Sequence, residues 1–318
     1  MQQPRWVDAA GVRHAVSPDR ARRLIRRELA DGFDPATDPP RLAATIGEGD
    51  GSGQLLVMPS ATRTGAGVKV LSVAPGNPER GLDRIQAVYV LLDPDTLAPS
   101  VLVDGTAITS LRTPAVSAVA MDALAPDEVG SVVVVGSGPQ ALGHAEALLA
   151  IRQPTSVTVV GRRADAARAT AQRISGLASS HRMATRGLTV DDPAFETAVR
   201  DAQVVVTATS AATPVIDDDW VADGACVVAI GSHEPHRREL GSGLLGRSLV
   251  VVEDLQTAHR EAGDVILAAA QGPLAWDDVH TLAEVVLGSV TRATDRPNVF
   301  KSVGMAWQDL VIAEHVRS

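Results

Sequence analysis

The feature that most constrains the fold is a strand, a glycine turn and a helix that follow one another within residues 131–150, SVVVVGSGPQALGHAEALLA. The valines before the turn predict a buried strand, and the apolar stretch after it predicts a helix. A G-x-G-x-x-A pattern is weak alone. At a strand-to-helix junction it is typical of dinucleotide binding, because backbone amides and the helix amino terminus approach a pyrophosphate there. A glycine turn without a ligand is the alternative. The residues predicted to bind the dinucleotide here are Gly136, Ser137, Gly138, Pro139, Gln140 and Ala141.

The segments that follow repeat the alternation of strand and helix. Strand-like runs lie at 155–160, 203–207, 225–230 and 248–252, each followed by turn residues and a helical stretch. This alternation predicts parallel pairing, with helices on both faces of the sheet. We therefore predict an α/β fold with a Rossmann-type, doubly wound parallel-sheet domain over residues 121–297.

The amino-terminal part has a different pattern. After one amphipathic helix that begins at Ser17, short apolar or alternating runs occupy 41–48, 53–60, 66–74, 86–92 and 99–104. Turn residues separate these runs, which predicts an antiparallel sheet. The last segment, VFKSVGMAWQDLVIAEHV, predicts a turn and an amphipathic helix that packs back on this part. A second, α+β domain is therefore expected over residues 1–120 together with 298–318.

Composition limits the classes of function. The 318 residues are 45% hydrophobic, enough for two packed cores, and the net charge of -9 is spread along the chain without a basic stripe. No nucleic-acid partner is expected. The chain has neither an apolar run of about 18 residues nor a signal-peptide core, which predicts no membrane span and a cytoplasmic location. The single cysteine, Cys226, excludes an internal disulfide, and the histidines lack metal-ligand spacing, so no metal site is expected.

The end of the second predicted strand bears on the choice between NAD and NADP. A carboxylate there would bind the ribose hydroxyls of NAD and repel a 2′-phosphate. This chain instead has Gly161, Arg162 and Arg163. Arginines neutralise a phosphate, so NADP(H) is favoured over NAD(H), with solvated loop charges as the alternative. Further cofactor contacts are expected at two strand-end loops, from Thr207, Ala208, Thr209, Ser210, Gly231 and Ser232.

Several motifs occur in a fixed order along the chain and carry a family resemblance. They are MPS at 58–60, GVKV at 67–70, GNPERGL at 76–82, SLRTPAVSAVA at 110–120, GSGPQA at 136–141, TATSA at 207–211, IGSHEPHRREL at 230–240 and KSVGMAWQDL at 301–310. In this combination the chain resembles the ornithine cyclodeaminase/mu-crystallin family over nearly its whole length. The resemblance implies that the first domain binds substrate and forms a homodimer. It also implies that the second domain binds a nicotinamide cofactor and that the substrate is a small α-amino or α-imino acid.

The resemblance also assigns roles to individual residues. The family positions that hold the substrate carboxylate match Arg41, Lys69 and Arg112. Arginine suits this task because its planar group recognises a carboxylate in a bidentate manner. An ordinary surface charge is the alternative for Arg41, and a lysine that extends from a sheet edge is the alternative for Lys69. Cofactor contacts at matching positions are Arg112, Thr113, Val303 and Gly304.

One position departs from the family pattern. Cyclodeaminases and the related alanine dehydrogenases carry an Asp where this chain has His233, and that carboxylate is expected to act as a general base. Histidine transfers protons near neutral pH, but it cannot act as a fixed anion for the ammonium groups of ornithine. His233 is therefore a candidate catalytic residue together with Lys69, and a structural role in the loop is the alternative. Glu234 is a candidate substitute for the missing Asp.

Ketimine reductases of the same family also lack that Asp and prefer NADPH. The resemblance therefore predicts an oxidoreductase that reduces small cyclic α-imino acids, of the pyrroline-2-carboxylate or piperideine-2-carboxylate type, to L-amino acids. Among enzymes, the alternative is an ornithine cyclodeaminase or an amino acid dehydrogenase similar to alanine dehydrogenase. Outside enzymes, the alternative is an NADPH-dependent small-ligand binding protein like mu-crystallin.

Overall fold

The structure is a computed structural model that describes residues 3–48, 52–178 and 183–317. Its strands are β1 (Arg5–Val7), β2 (Leu42–Ile46), β3 (Gly53–Ala61), β4 (Ala66–Val73), β5 (Ile85–Leu92), β6 (Pro99–Asp104), β7 (Ser131–Val135), β8 (Ser156–Gly161), β9 (Ala184–Thr189), β10 (Val204–Thr207), β11 (Cys226–Ala229), β12 (Leu249–Val252), β13 (Val279–Thr281) and β14 (Asn298–Lys301). Its helices are α1 (Ala9–Ala15), α2 (Pro18–Ala30), α3 (Gly105–Leu124), α4 (Pro139–Leu149), α5 (Ala164–Leu177), α6 (Ala194–Arg200), α7 (Ser242–Gly246), α8 (Leu255–Glu261), α9 (Gly263–Gln271), α10 (Leu282–Val286) and α11 (Ala306–Val316).

The chain divides into two compact units. The first comprises Met1–Arg112 and Met305–Ser318, and the second comprises Thr113–Gly304. The boundaries thus differ from the predicted division, which gave 1–120 and 298–318 to one domain and 121–297 to the other. Residues 298–304 fall in the second unit because β14 pairs with β11 and β12 of its sheet. Residues 113–120 fall there too, and within them Ser117 Oγ lies 2.9 Å from His144 Nε2 of α4.

The second unit contains an eight-stranded sheet in the order β13-β12-β14-β11-β10-β7-β8-β9. Every pairing in it is parallel, which confirms the predicted Rossmann-type, doubly wound α/β fold. The central strands are buried, as their unbroken valine runs predict. Because β7 lies between β8 and β10, the strand order reverses there. The carboxyl ends of β7 and β10 are therefore the topological switch point, where open sheets of this kind bind their ligands.

Three strands of this sheet are absent from the sequence-based prediction. Half of the residues of β9, ATRGLT, are polar, and β13 has only three residues. β14 begins with Asn298, a residue that strands disfavour. The structure explains this asparagine, because its amide accepts from the Ala293 N–H at 2.7 Å and donates to the Ala293 carbonyl at 2.9 Å. A polar side chain is tolerated in the interior when its hydrogen bonds are satisfied.

The first unit contains a six-stranded sheet in the order β1-β6-β5-β4-β3-β2. β2 to β6 pair antiparallel, as predicted, while β1 joins β6 in parallel and is absent from the prediction. Alternate residues of β4 are buried, and Lys69 lies in the same buried row as Leu71 and Val73. The apolar cluster on this face contains Leu71, Val73 and Ala306 of α11. The strand alternation therefore brings one lysine into the interior of the unit.

Two helices differ from their predicted form. Nine of the 11 residues of α11 are buried, so this helix is not amphipathic, although it belongs to the first unit as predicted. α3 begins at Gly105, although the sequence LRTPA suggests a helix that begins at Thr113 with proline in its first turn. The true start is set by Asp104, whose carboxylate accepts the Ala107 N–H at 2.9 Å. As a result Pro114 lies inside the helix, and Arg112 lies in a helical turn and not before a cap.

Within the described residues, no helix has both the length and the apolar character needed to cross a membrane. Likewise, no group of three or more His, Cys, Asp or Glu side chains in that part of the chain is arranged to hold a metal ion. Cys226 is buried in β11, and burial raises the pKa of its thiol to about 12. It is therefore a poor nucleophile at neutral pH.

Candidate functional site

The glycine turn after β7 lies at the switch point of the second sheet. Gly136 has φ +131, a conformation that side chains disfavour, and an added Cβ would collide with the carbonyl oxygen of Ala208. Its N–H donates to the Val160 carbonyl at 2.7 Å, which ties the turn to β8. Only glycine therefore fits where the ends of β7, β8 and β10 meet.

The amino terminus of α4 is open in the way that a pyrophosphate needs. Gly138 is the N-cap residue, no side chain caps the helix, and an added Cβ would meet nothing within 4 Å. Pro139 occupies the first helical position, and the Thr170 hydroxyl donates to the Ser137 carbonyl at 2.9 Å and so fixes the turn. Helix amino termini of this kind bind anions through backbone N–H groups and the helix dipole. The residues present thus fit a dinucleotide phosphate.

The two arginines after β8 are not equivalent. Gly161 is buried, and the side chains of Arg162 and Arg163 are exposed. Arg163 forms two hydrogen bonds to Asp165, at 3.2 Å from Nε and 2.6 Å from Nη2. These bonds lower the pKa of the Asp165 carboxyl to about 2. One of the two predicted phosphate-binding arginines therefore already has a carboxylate partner.

The loops after β10 and β11 share one buried carboxylate, that of Glu239. It accepts the Thr209 N–H at 2.7 Å, the Thr209 hydroxyl at 2.6 Å and the Gly231 N–H at 2.7 Å. The hydroxyl of Thr207 donates to it as well, at 3.0 Å. Burial raises the pKa of Glu239, and the positive charge of Lys301 opposes that shift. Glu239 is not among the residues that the sequence predicts, although it lies within the HRREL segment.

A second carboxylate and one ammonium lie beneath these loops. Asp264 accepts the backbone N–H groups of Glu239 and Leu240 at 2.7 and 2.9 Å. Its other oxygen lies 2.9 Å from Lys301 Nζ, which also donates to the Ser232 carbonyl at 2.7 Å. All three charged side chains are fully buried or nearly so. The end of β14 is thereby tied to the loop after β11.

The turn after β14 is held by Glu253. Its carboxylate accepts the N–H groups of Val303 and Gly304 at 2.7 and 2.8 Å. Gly304 has φ +78, which explains why glycine is needed there. The backbone N–H groups of Val303 and Gly304, two predicted cofactor contacts, are therefore directed at a protein carboxylate. Any contact that this turn makes with a cofactor comes from its other atoms.

The interior of the first unit contains a cluster of charges around Asp309 of α11. Lys69 Nζ lies 2.6 Å from Asp309 Oδ2, and Arg112 Nε lies 3.1 Å from Asp309 Oδ1. Thr109 also receives a hydrogen bond from Lys69, at 3.3 Å, and Gln308 receives one from Arg112, at 3.2 Å. Lys69 is completely buried and Arg112 is 6% exposed. The structure thus brings two of the predicted substrate-binding residues together on one carboxylate.

The protonation of Lys69 is finely balanced. Its pKa is lowered from 10.5 to about 7: burial is the main cause, the charges of Arg112 and Arg41 act in the same direction, and Asp309 opposes them. Arg41, which is partly buried just before β2, is therefore close enough for its charge to act on the same centre. Asp38 lies nearby, and burial raises its pKa to about 6 while it accepts the Trp307 N–H at 2.9 Å.

With this geometry established, comparison with known proteins assigns the family. The family model described as "Ornithine cyclodeaminase/mu-crystallin family" matches residues 23–318. The chain belongs to this family. The motif-based resemblance is thereby confirmed. A relative from Azospirillum brasilense, Delta(1)-pyrroline-2-carboxylate/Delta(1)-piperideine-2-carboxylate reductase, is 35% identical over 280 residues, which cover 88% of this chain and 84% of the relative.

Solved structures of similar proteins agree with the ornithine cyclodeaminase/mu-crystallin fold. Thermococcus litoralis Delta(1)-pyrroline-2-carboxylate reductase, in complex with NADH and L-proline, is 27% identical with a TM-score of 0.88, and the match covers 98% of this chain and 96% of that one. An archaeal alanine dehydrogenase dimer with bound NAD is 29% identical with a TM-score of 0.86, and the match covers 99% and 95%. The likeness therefore extends over both units of the chain.

Residues 232–236, in the loop after β11, contain two histidines and one carboxylate. His233 is half-buried there. Glu234 places its carboxylate 3.3 Å from Nε2 of His236, whose side chain is mostly exposed. The backbone N–H of Glu234 donates to the Ser232 hydroxyl at 3.2 Å, which fixes the turn. Glu234, the candidate substitute for the missing Asp, is thus paired with a surface histidine.

The functional residues absent from the prediction are all buried carboxylates. They are Asp309, Glu239, Asp264 and Glu253. A signal for Asp309 exists, because a lysine in a buried strand needs an anionic partner and the AWQDL segment supplies one. Glu239, Asp264 and Glu253 mainly accept backbone and hydroxyl hydrogen bonds from loops, and such pairings leave no periodic pattern in a sequence.

Proposed function

We propose that the chain is an NAD(P)H-dependent reductase that converts small cyclic α-imino acids, of the pyrroline-2-carboxylate or piperideine-2-carboxylate type, to L-amino acids. The observation that carries the proposal is the contact of Lys69 and Arg112 with the single carboxylate of Asp309. Two cations on one anion leave positive charge that can attract the carboxylate of a small substrate. Arginine matches the planar geometry of that group.

The similar proteins support the same chemistry. The name of the Azospirillum relative gives both cyclic imino acids as substrates. The Thermococcus structure contains L-proline, the amino acid that reduction of a five-membered cyclic imino acid yields, together with NADH. His233 in place of an acid also favours this reaction over deamination, since a reductase has no ammonium group of ornithine to neutralise.

Each residue of the centre around Asp309 has a task in this proposal. Arg41 and Arg112 hold the substrate carboxylate. Lys69 donates a proton to the imine nitrogen, because a pKa of about 7 makes its ammonium acidic enough to do so near neutral pH. Asp309 holds that ammonium in place through the 2.6 Å contact. A reduced nicotinamide, when bound, supplies the hydride to the ring carbon. His233 is the second candidate for proton transfer.

The cofactor site is proposed to be the switch point of the second sheet. Contacts are assigned to Arg112, Thr113, the turn and helix start at 136–141, Gly161, Arg162, Arg163, the loop at 207–210, Gly231, Ser232, Val303 and Gly304. Support comes from the open amino terminus of α4 and from Gly136, whose neighbours leave no space for a side chain. The exposed arginine pair after β8 favours NADP(H) over NAD(H), since a 2′-phosphate gains charge-assisted hydrogen bonds there.

The first unit is proposed to form a homodimer through the edge strand β2. Leu42 and Ile46 of β2 are 66% and 57% exposed, and Leu55 of the adjacent β3 is 39% exposed. An apolar edge strand with unpaired backbone groups favours association with another chain. The archaeal alanine dehydrogenase noted above is a dimer. Changing Leu42 and Ile46 to Lys should yield monomers in sedimentation velocity, and an unchanged dimer would exclude this edge as the interface.

A set of parallel assays with the purified chain tests the proposed reaction. Oxidation of NADPH and NADH is followed with each cyclic imino acid, and with pyruvate plus ammonia as the dehydrogenase alternative. Ammonia release from ornithine is measured as the deaminase alternative. We expect turnover with the cyclic imino acids and a lower KM for NADPH than for NADH. Ammonia from ornithine without net oxidation of the cofactor would instead establish a cyclodeaminase.

A further inference from the structure

We propose that Glu239 is the positioning residue that holds two cofactor loops of the second unit in one fixed arrangement. The two loops are the β10 loop, residues 208–215, and the β11 loop, residues 230–241. This inference rests on the proposed function, because it assigns a task within the proposed nicotinamide site. It concerns a residue that lies beneath the surface of that site and does not itself face a ligand.

The hydrogen bonds of Glu239 join the two loops directly. One carboxylate oxygen, Oε1, accepts the N–H and the hydroxyl of Thr209 in the β10 loop. The other, Oε2, accepts the Gly231 N–H of the β11 loop and the hydroxyl of Thr207 at the end of β10. An added Cβ on Gly231 would collide with the Thr209 carbonyl, so the loops are also in van der Waals contact. A shift of either loop breaks bonds to the same side chain.

The chemistry of these bonds requires a carboxylate. All four partners donate, and each oxygen of Glu239 receives two of them, so both oxygens act only as acceptors. Glutamine has the same shape, but in either orientation of its amide the NH₂ group would face a backbone N–H at 2.7 Å, that of Thr209 or that of Gly231, which can only donate. Because the side chain is fully buried, no water can relieve that repulsion. A neutral amide therefore cannot keep the loops together.

Glu239 is itself fixed by bonds to its backbone. Its N–H donates to Asp264, and its carbonyl accepts the Val215 N–H at 2.8 Å, at the far end of the β10 loop. Lys301 joins Asp264 and the Ser232 carbonyl, so β14 belongs to the same framework. The carboxylate of Glu239 thus has a defined position from which it orients Thr209 and Gly231. In metal sites, mutation of residues that orient the direct ligands in this way changes affinity or activity by roughly 10- to 100-fold, and we expect an effect of similar order here.

The test compares Glu239→Gln with Glu284→Gln in the full-length chain. Glu284 is a matched control, since its carboxylate accepts the N–H and the hydroxyl of Thr281 at 2.7 and 2.9 Å in a helix cap. We expect Glu239→Gln to raise the Kd of both NADPH and NADH at least about tenfold, with kcat at saturating cofactor reduced far less. We expect Glu284→Gln to lower the melting temperature and leave both Kd values unchanged. Thr207→Val, which removes only one buried hydroxyl, provides a second variant with a Kd rise of about threefold.

The outcomes separate this inference from the proposed function. Equal melting-temperature losses in the two glutamine variants, with neither Kd altered, would show that Glu239 is merely structural. If Glu239→Gln does not fold, an unchanged Kd in Thr207→Val overturns the inference. Failure of the wild-type chain to bind either reduced nucleotide would overturn the proposed function itself, before any variant is compared.

Discussion

The two units bury charge in opposite ways. In the first unit, the cations Lys69 and Arg112 contact one carboxylate, Asp309, so positive groups outnumber the anion that they touch. In the second unit, the ammonium of Lys301 contacts Asp264, and hydroxyl and backbone groups donate to the carboxylates of Glu239 and Asp264. The first arrangement has one more cation than it has anions. The second has one more anion than it has cations, but its extra anion, Glu239, accepts four hydrogen bonds from hydroxyl and backbone groups.

This difference indicates what each centre is for. A buried charge is costly unless it is paired and hydrogen-bonded, so an unbalanced cluster is retained where a ligand completes it. A saturated network instead fixes loops and contributes to the folded framework. We therefore expect substitutions in the first centre to alter catalysis and substitutions in the second to alter stability or the shape of the loops after β10 and β11.

Replacement of Lys69 with Met should produce the largest effect. We expect kcat/KM for a cyclic imino acid to fall about a thousandfold, because proton donation and charge stabilisation are both removed. The Kd of NADPH should not change. Kinetics and nucleotide titration of the same preparation measure the two quantities. A loss of less than about tenfold would remove Lys69 from the catalytic assignment.

The pH dependence of the stability of the same variant tests whether the pKa of Lys69 is lowered in the folded chain. The unfolded chain protonates this lysine up to pH 10.5, whereas the folded chain protonates it only up to about 7. Between these values the unfolded state binds more protons, so the free energy of unfolding of the wild type rises with pH. Lys69→Met should lack this rise, and because Arg112 still pairs with Asp309 the variant should be at least as stable as the wild type at pH 7. Denaturant unfolding at neutral and alkaline pH provides the comparison.

Replacement of Lys301 with Met should act mainly on stability. It leaves Asp264 without its cationic partner in a fully buried setting, and breaking a buried pair costs about 3–5 kcal/mol. The melting temperature should fall by roughly 10 °C for a unit of this size. If Lys301→Met unfolds no more readily than Lys69→Met, the contrast between the two centres is wrong.

The parts of this fold that a sequence predicts are those that repeat locally. The valine runs of β7, β10 and β12 and the alternation in β4 give the two sheets, because burial imposes those periods. β13 and β9 depend on neighbours elsewhere in the chain and show no such period. The predicted start of α3 is wrong because Thr113 and Pro114 form a good local cap signal, which the hydrogen bond of Asp104 overrides.

The residues of the candidate site also differ in whether a local sequence pattern identifies them. Gly136 and Gly138 are identifiable from the sequence, because glycine at a strand-to-helix junction has a backbone reason. Lys69 is identifiable as a buried cation, but its partner lies 240 positions away and only the fold brings them together. Glu239 is still harder to identify from the sequence. Its four donors are threonine hydroxyls and backbone N–H groups, which occur throughout any chain. The role of a buried acceptor is therefore visible only in three dimensions.

The pH profile of the activity of Asp309→Asn tests whether Asp309 keeps Lys69 protonated in the first centre. If protonated Lys69 is needed, the activity of the wild type should fall as pH rises through about 7. Asp309 raises the pKa of Lys69, so its removal should move the falling limb to lower pH. Activity at neutral pH should then drop about tenfold for every pH unit by which the limb moves. A limb that stays in place would mean that another group, with His233 as the first candidate, sets the profile.

Arg162 and Arg163, after β8, are exposed charges, unlike the buried charges of the two centres. Substitutions there should have the smallest effect. Arg163 forms two hydrogen bonds to Asp165, whereas Arg162 has no ion pair or hydrogen bond with the described part of the chain. Arg162→Ala should therefore weaken NADPH binding about fivefold, near 1 kcal/mol for an exposed charge, and Arg163→Ala should weaken it less. Asp165→Asn should strengthen NADPH binding, because a 2′-phosphate then no longer competes with a carboxylate for Arg163. NADH titrations with the same three variants are the control, since that cofactor lacks the phosphate. Equal effects on NADH and NADPH would show that these arginines act on solubility or folding, and the preference for NADP(H) would lose its physical basis.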